Sequence, residues 1–204
     1  MLAAGWLEGS PSGGGLDRRL LIALRDRGGD PRVAAAVRAL SWCGEHGALW
    51  LAAGLTGAVR AGGAADPGRR AAWLRGTALV GAAHVASMGL KRVVRRPRPE
   101  LPGRPPLVRT AARHSFPSSH AASSAAAAVA YRTLRPTGRW LPGVAAAMCV
   151  SRLVAGVHYP TDVAAGALLG ALTARLADPW TRGPLGGSGR GAAVGCPASG
   201  GIRD

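Results

Sequence analysis

Residues 116–131 read FPSSHAASSAAAAVAY, a run without Asp, Glu, Lys or Arg that consists mainly of alanine and serine. Such small side chains let neighbouring helices approach closely, as they do in membranes. In the whole chain 48% of residues are hydrophobic but only 4% are aromatic, so alanine, leucine and valine must fill almost any core. Alanine buries little apolar area, and we therefore do not expect a conventional soluble core.

Four further apolar runs flank this segment, two on each side. They cover residues 39–59, 71–90, 140–157 and 160–177. A bilayer-spanning helix needs about 20 apolar residues, and several of these runs are shorter or end in a charge. Periodicity alone leaves a buried soluble bundle and a membrane bundle as alternatives. Trp42, Trp50 and Trp140 lie near run ends, where interfacial anchors are expected.

The position of the charged residues favours the membrane bundle. Lys91, His120, Arg152 and Asp162 each lie at or near a run end, and antiparallel helices with short links would bring these ends to one level. Ionisable residues at such a level face the interior and mark a functional site. We therefore predict an all-α, membrane-embedded antiparallel helical bundle with about five transmembrane helices, as a multi-pass cell-membrane protein.

The chain before the first run is predicted to form two amphipathic helices. The first is capped by Asp17, runs to about Arg27 and is stopped by Gly28. The second starts at Asp30-Pro31, because proline is favoured at the first helical position. These helices either lie on a membrane surface or pack on a neighbouring helix. The predicted organisation is a disordered N-terminus (1–15), interfacial helices (16–42), a transmembrane domain (43–177) and a disordered tail (178–204).

Three segments combine cations, histidines and a carboxylate. They read KRVVRRPRP at 91–99, FPSSHA at 116–121, and SR at 151–152 followed after five residues by HYPTD at 158–162. Arginine matches phosphate oxygens with two parallel hydrogen bonds, and lysine adds a point charge. If Pro117 opens the third apolar helix, the amides after it form an anion site at the helix N-terminus. The segments therefore predict a phosphate-binding site.

The third segment also predicts a nucleophile. Pro160 would begin a helix, which puts Asp162 in its first turn and close enough to hold one imidazole nitrogen of His158. The other nitrogen is then free to attack. His46 and His84 lie inside apolar runs, and for both we expect an interior hydrogen bond rather than catalysis.

Together the three segments resemble the signature of the type-2 phosphatidic acid phosphatases, which share their site with the vanadium haloperoxidases. That signature is Lys, six residues, Arg-Pro; then Pro-Ser-Gly-His; then Ser-Arg, five residues, His, three residues, Asp. All three parts occur here in order, and the resemblance covers about residues 40–177. The departure is Ser119, which stands where the family usually has glycine.

The resemblance implies a role for each matching residue. The phosphate-binding residues would be Lys91, Arg98, Ser118, Ser119 and Arg152. His158 would attack phosphorus and form a phosphohistidine, while Asp162 orients it. His120 would protonate the leaving oxygen and then activate water. No metal or other cofactor is implied, because the cations stabilise the transition-state charge.

The implied function is removal of phosphate from a lipid phosphate in a membrane. The compact chain looks like small actinobacterial members, which favours a polyprenyl substrate such as decaprenyl-phosphoryl-phosphoribose or undecaprenyl diphosphate. The alternative substrates are phosphatidic acid and phosphatidylglycerol phosphate. A noncatalytic membrane scaffold is a competing hypothesis, although every signature residue except the glycine is retained.

The net charge of +16 raises a nucleic-acid-binding protein as another hypothesis. Few aromatic residues are present for stacking and no binding motif occurs, so no nucleic-acid partner is expected. The sequence leaves open the oligomeric state and the side of the membrane that the site faces.

Overall fold

The computed structural model describes residues 15–62, 67–134 and 136–177, which form α-helices, short 3₁₀ turns and loops. The α-helices are α1 (Leu16–Arg27), α2 (Pro31–Cys43), α3 (Ala48–Gly62), α4 (Pro67–Val94), α5 (Ser119–Tyr131), α6 (Leu141–Val154) and α7 (Pro160–Leu176). The 3₁₀ turns Glu45–Gly47 and Pro136–Trp140 precede α3 and α6. The all-α prediction is confirmed. The predicted disordered tails, apart from Gly15, lie outside the described residues.

The alanine-rich helix α5 is the centre of the bundle and packs against α4, α6 and α7. Its contact with α7 is a close approach of two backbones. A Cβ atom at Gly166 would collide with the carbonyl of Ser118, and a Cβ atom at Gly170 would collide with the carbonyl of Ala122. The two glycines are four residues apart on α7, and the two carbonyls belong to residues four apart at the start of α5. Residues four apart share one helix face, so the two helices meet along one face.

Aromatic side chains fill the core beside the alanines. Trp50, Trp73 and Tyr131 are almost fully buried in one cluster. The indole of Trp50 donates to Ser124 Oγ at 2.8 Å, and the Tyr131 hydroxyl donates to the Trp50 carbonyl at 3.1 Å. Trp50 is therefore a core residue, and its prediction as an interfacial anchor is wrong. Trp42 and Trp140, by contrast, are 80% and 63% exposed.

The two N-terminal helices pack on α6, and this contact agrees with the second of the two predicted arrangements. Leu21 is completely buried, and the Arg25 guanidinium donates to the Pro105 carbonyl at 2.5 Å. Asp30 caps α2 as predicted, since its side chain accepts from the Arg32 amide at 2.7 Å. Asp17 does not cap α1, because the helix begins at Leu16, two residues earlier than a cap at Asp17 requires, with Gly15 as its N-cap.

The first apolar run is not one continuous helix, in contrast to the prediction for residues 39–59. It is broken after Cys43 by the turn Glu45–Gly47, in which His46 has φ 52° and Gly47 has φ 75°. Two successive residues in the left-handed region cannot continue a right-handed helix. Glycine at position 47 adopts this positive φ without steric cost, and hydropathy alone does not reveal the turn.

The bundle carries many exposed apolar side chains. Those on α4 and α7 are Leu74, Val85, Leu90, Val93, Leu168, Leu172 and Leu176, which are 38–79% exposed. None of the helices in the described part of the chain combines the length and the hydropathy that crossing a membrane requires.

The close approach of α5 and α7 leads to a stability prediction. We expect Gly170→Ala to lower the free energy of unfolding by about 2 kcal/mol or more, because the added methyl meets a backbone carbonyl that cannot rotate away. The matched control is Gly81→Ala in α4, where a Cβ atom meets nothing within 4 Å. That variant should be unchanged or up to about 1 kcal/mol more stable, because alanine favours helix. Thermal unfolding followed by circular dichroism measures both, and equal stability of the two variants would contradict the proposed contact.

Candidate active site

The three sequence segments meet at one cavity of about 240 Å³. Six of the eight predicted site residues line it, namely Lys91, Arg98, Ser119, His120, Arg152 and His158. Ser118 and Asp162 are not part of the lining, and both are completely buried. The cavity therefore gathers the predicted cations and both predicted histidines.

Helix ends deliver most of these side chains. The last turns of α4 and α6 carry Lys91 and Arg152, the first turn of α5 carries Ser119 and His120, and the loops before α5 and α7 carry Arg98 and His158. The loop before α5 is held in place by Ser115, whose amide donates to the Arg96 carbonyl at 2.8 Å. The expectation that the charged run ends lie at one level thus agrees with the structure.

The three cations are held by oxygen atoms that carry no full charge. The acceptors are the Ser115 and Pro117 carbonyls for Lys91, the Ala112 and Val157 carbonyls for Arg98, and the Ser41 hydroxyl for Arg152, at 2.5–3.1 Å. Within the described part of the chain, none of the three forms an ion pair with a carboxylate. The Nε atom of Arg152 is buried there without a hydrogen-bond partner. Their positive charge therefore remains available to an anion in the cavity.

His158 lies beside the buried carboxylate of Asp162, as the spacing predicted. Its Nδ1 is 3.7 Å from Asp162 Oδ2, and the two side chains are 4% and 0% exposed. The same carboxylate oxygen accepts a hydrogen bond from the Tyr159 amide at 2.8 Å, which fixes it in the first turn of α7. Because Nδ1 faces the carboxylate, Nε2 is the nitrogen available to a ligand in the cavity.

Burial lowers the pKa of His158 from its usual value of 6.5 to about 4. The charged Arg98 and Lys91 lower it further, while the neighbouring Asp162 carboxylate opposes the shift. The imidazole is therefore neutral at pH 7, and a neutral imidazole keeps the lone pair that a nucleophile needs.

Ser118 serves the backbone and not the cavity. Its hydroxyl caps α5 by accepting from the Ala121 amide at 3.4 Å, and its own amide donates to the Asp162 carbonyl at 2.9 Å. The prediction that Pro117 opens this helix is wrong by two residues, because the helix begins at Ser119. The amides of Ser119 and His120 remain at the helix N-terminus, where an anion is favoured.

His120 and Ser119 both have polar atoms near the cavity. The Nε2 atom of His120 is buried without a hydrogen-bond partner in the described residues. The Ser119 hydroxyl contacts the Met88 sulfur at 3.8 Å, so the serine side chain fits where the resembled family usually has glycine. A buried polar atom without a partner calls for a ligand or a solvent molecule.

Arg96 is a residue of this site that the sequence reasoning missed. Its guanidinium donates to Asp162 Oδ1 at 2.9 Å and to Asp17 Oδ2 at 3.1 Å. Asp17 in turn accepts from the Thr161 amide at 2.9 Å, and the guanidinium stacks 4.1 Å from the centre of the Tyr159 ring. Arg96 is one of many arginines in its loop, so no sequence signal distinguished it from them.

A family model described as the PAP2 superfamily matches residues 72–183. The chain is 44% identical over 153 residues to a protein of Mycolicibacterium smegmatis named decaprenylphosphoryl-5-phosphoribose phosphatase; the match covers 74% of this chain and 81% of that protein. A protein of the same name from Mycobacterium tuberculosis is 43% identical over 157 residues, which covers 76% of this chain and 83% of that protein.

A solved structure also resembles this fold. It is the transmembrane PAP2-type phosphatidylglycerolphosphate phosphatase of Bacillus subtilis, with a TM-score of 0.65. The similarity covers 84% of this chain and 87% of that chain, at 20% sequence identity. At that identity the likeness concerns the fold alone.

The contact of Arg96 with Asp162 can be tested by stability. We expect Arg96→Gln to lower the free energy of unfolding by about 2 kcal/mol, since it removes a charged partner from a completely buried carboxylate. This value is below the usual cost for a fully buried pair because the Arg96 side chain is 32% exposed. The control is Arg92→Gln, which removes an exposed guanidinium from the preceding helix. An equal decrease in melting temperature for both variants, measured by thermal unfolding, would contradict a specific role of Arg96.

Proposed function

Because the chain belongs to the PAP2 superfamily and is therefore a phosphoric ester hydrolase, we propose that it hydrolyses a polyprenyl-type lipid phosphate through a phosphohistidine. The substrate would be a sugar phosphate linked to a polyprenyl phosphate, as in decaprenylphosphoryl-5-phosphoribose, or a polyprenyl diphosphate. The observation that carries this proposal is the convergence of the three signature cations, none of them in an ion pair within the described residues, and the two signature histidines on one cavity. Two relatives that this chain matches over most of their length are named decaprenylphosphoryl-5-phosphoribose phosphatase, and this name supports the polyprenyl class.

The first chemical step is an attack by Nε2 of neutral His158 on phosphorus. The new N–P bond forms as the bond from phosphorus to the leaving oxygen breaks. His120, which takes up a proton when the anionic substrate binds beside it, gives that proton to the leaving oxygen. Asp162 stabilises the positive charge that develops on the imidazole of His158. The phosphoryl oxygens carry negative charge throughout, and it is stabilised by the nearby cations Lys91, Arg98 and Arg152.

The second step returns the enzyme to its starting state. The now neutral His120 takes a proton from a water molecule, and the resulting hydroxide attacks phosphorus. The N–P bond breaks, inorganic phosphate leaves, and His158 regains its lone pair. Ser119 and the adjoining amides of α5 hold the phosphoryl oxygens, while Ser118 maintains the start of that helix.

We also propose that residues 43–177 form a membrane-embedded phosphatase domain in the cell membrane. Support comes from the apolar side chains that point outward on several helices and from the exposed Trp42 and Trp140 at helix ends. Large exposed apolar areas are uncommon on soluble monomers. The helices of residues 16–42, packed on α6, would then lie at the membrane surface beside the site.

The phosphohistidine mechanism predicts opposite behaviour of the two histidine variants. With a ³²P-labelled lipid phosphate and a chelator present, His158→Ala should release phosphate at least about a thousandfold more slowly and take up no label. His120→Ala should become labelled more slowly, because the first step loses its acid, and should then retain the label, because the second step loses its base. The retained label should be stable in alkali and released in acid, as expected for a phosphorus–nitrogen bond.

Wild-type protein is tested with decaprenylphosphoryl-5-phosphoribose, undecaprenyl diphosphate, phosphatidic acid and phosphatidylglycerol phosphate. The preferred substrate then distinguishes the polyprenyl class from glycerophospholipids. Label on His158→Ala protein would overturn the assignment of the nucleophile. Absence of hydrolysis of all four would overturn the lipid-phosphatase proposal in favour of a noncatalytic scaffold.

Membrane embedding predicts a difference between tryptophans. In a Trp6→Phe/Trp180→Phe background, reconstitution in brominated-lipid vesicles should quench the fluorescence of the protein. Further replacement of Trp42 and Trp140 by phenylalanine should remove most of that quenching, because Trp50 and Trp73 are buried in the bundle. Vesicles of unbrominated lipid are the control. Quenching that is unchanged by these replacements would contradict the proposed contact with lipid.

A further inference from the structure

The turn between α2 and α3 brings a second set of polar residues to the cavity. The sequence predicts an uninterrupted apolar run here, but the chain turns at Glu45–Gly47 with His46 at φ 52°. A non-glycine residue in the left-handed region costs free energy and tends to persist where function requires it. The turn places Glu45 and His46 in the cavity lining together with His84 of α4.

The two histidines of this group lie next to each other. Their ring centroids are 6.4 Å apart with the rings tilted by 46°. The Nδ1 atom of His84 is buried and has no hydrogen-bond partner among the described residues, in contrast to the interior hydrogen bond expected from the sequence. This atom is therefore able to accept or donate a hydrogen bond to a bound molecule.

Glu45 is out of place in a phosphate site. Among the described residues it is the sole carboxylate in the cavity lining, where the other charged side chains are Lys91, Arg98, Arg109 and Arg152. A carboxylate repels phosphate, so it disfavours a second phosphate group at its end of the cavity. Carboxylate oxygens and imidazole nitrogens do accept hydrogen bonds from hydroxyl groups.

A metal site is the other reading of two histidines and a glutamate. Across the residues that the structure describes, no group of three or more His, Cys, Asp or Glu side chains is placed to hold a metal ion. The chemistry of the group is thus that of hydrogen-bond acceptors and donors around an organic polar ligand.

We propose that Glu45, His46 and His84 form a subsite for the hydroxyl groups of the alcohol that leaves when phosphate is removed. The subsite makes the enzyme selective for phosphomonoesters of polyhydroxylated alcohols, that is, sugar phosphates, over polyprenyl diphosphates. This inference rests on the proposed function, since the phosphate would occupy the cation cluster of the same cavity. Recognition of the leaving alcohol, as distinct from recognition of the phosphate, is thereby assigned to residues outside the three signature segments.

The experiment compares two substrates on the full chain in detergent. Decaprenylphosphoryl-5-phosphoribose carries hydroxyl groups beside the scissile ester, and decaprenyl diphosphate does not. With Glu45→Gln and with His84→Leu, kcat/KM for the sugar phosphate should fall about tenfold to hundredfold, mainly through KM. Glu45→Gln replaces a charge-assisted hydrogen bond to the substrate by a weaker neutral one, and His84→Leu removes one. For the diphosphate, kcat/KM should be unchanged with His84→Leu. It should be raised with Glu45→Gln, because this change removes the repulsion between the Glu45 carboxylate and the second phosphate group.

The matched control is Glu100→Gln, the same chemical change at an exposed position outside the cavity lining. It should leave both substrates unaffected. Thermal unfolding of each variant separates a loss of fold from a loss of recognition. A parallel fall for both substrates, or no change for either, would overturn the subsite while leaving the phosphatase function in place. Failure of wild-type protein to hydrolyse both lipids would instead overturn the proposed function and the subsite with it.

Discussion

The close approach of α5 and α7 is the constraint on which the site depends. Gly166 and Gly170 let the two backbones meet, with the carbonyls of Ser118 and Ala122 where a Cβ atom would otherwise lie. At the end of this contact the Ser118 amide donates to the Asp162 carbonyl at 2.9 Å. Two segments that are far apart in the sequence are thereby joined at their first helical turns. The alanine and serine content of α5 has its physical reason in this packing.

The site keeps its positive charge because the buried carboxylate beside it is paired with an arginine outside the cavity lining. Asp162 is completely buried and is paired with Arg96, a residue whose side chain is one-third exposed. Lys91, Arg98 and Arg152 are bonded to carbonyls and a hydroxyl instead. Those partners position the cations without cancelling their charge, so a phosphate group would find a preorganised set of donors. The neutral His158 beside them follows from burial in the same environment.

The composition and the run pattern were enough to predict the helical class and the helices α4 to α7 to within a few residues. The break at residues 44–47 was not predictable from hydropathy, because isolated glycines occur inside apolar helical runs as well as in turns. The role of Trp50 was missed for a related reason. Its position near a run end is the same for a lipid anchor and for a core residue, and only the hydrogen bond to Ser124 separates them.

The sequence by itself determined the family and the candidate site residues, because the spacing of Lys91, Arg98, Arg152, His158 and Asp162 is a local property of three short segments. The tertiary structure alone decided which other side chains lie at the site and contact these residues. Arg96 meets Asp162 across 66 positions and Asp17 across 79, and Glu45 reaches the cavity through a turn that hydropathy does not predict. Such contacts depend on how whole helices pack, since short-range propensity carries no information about distant partners.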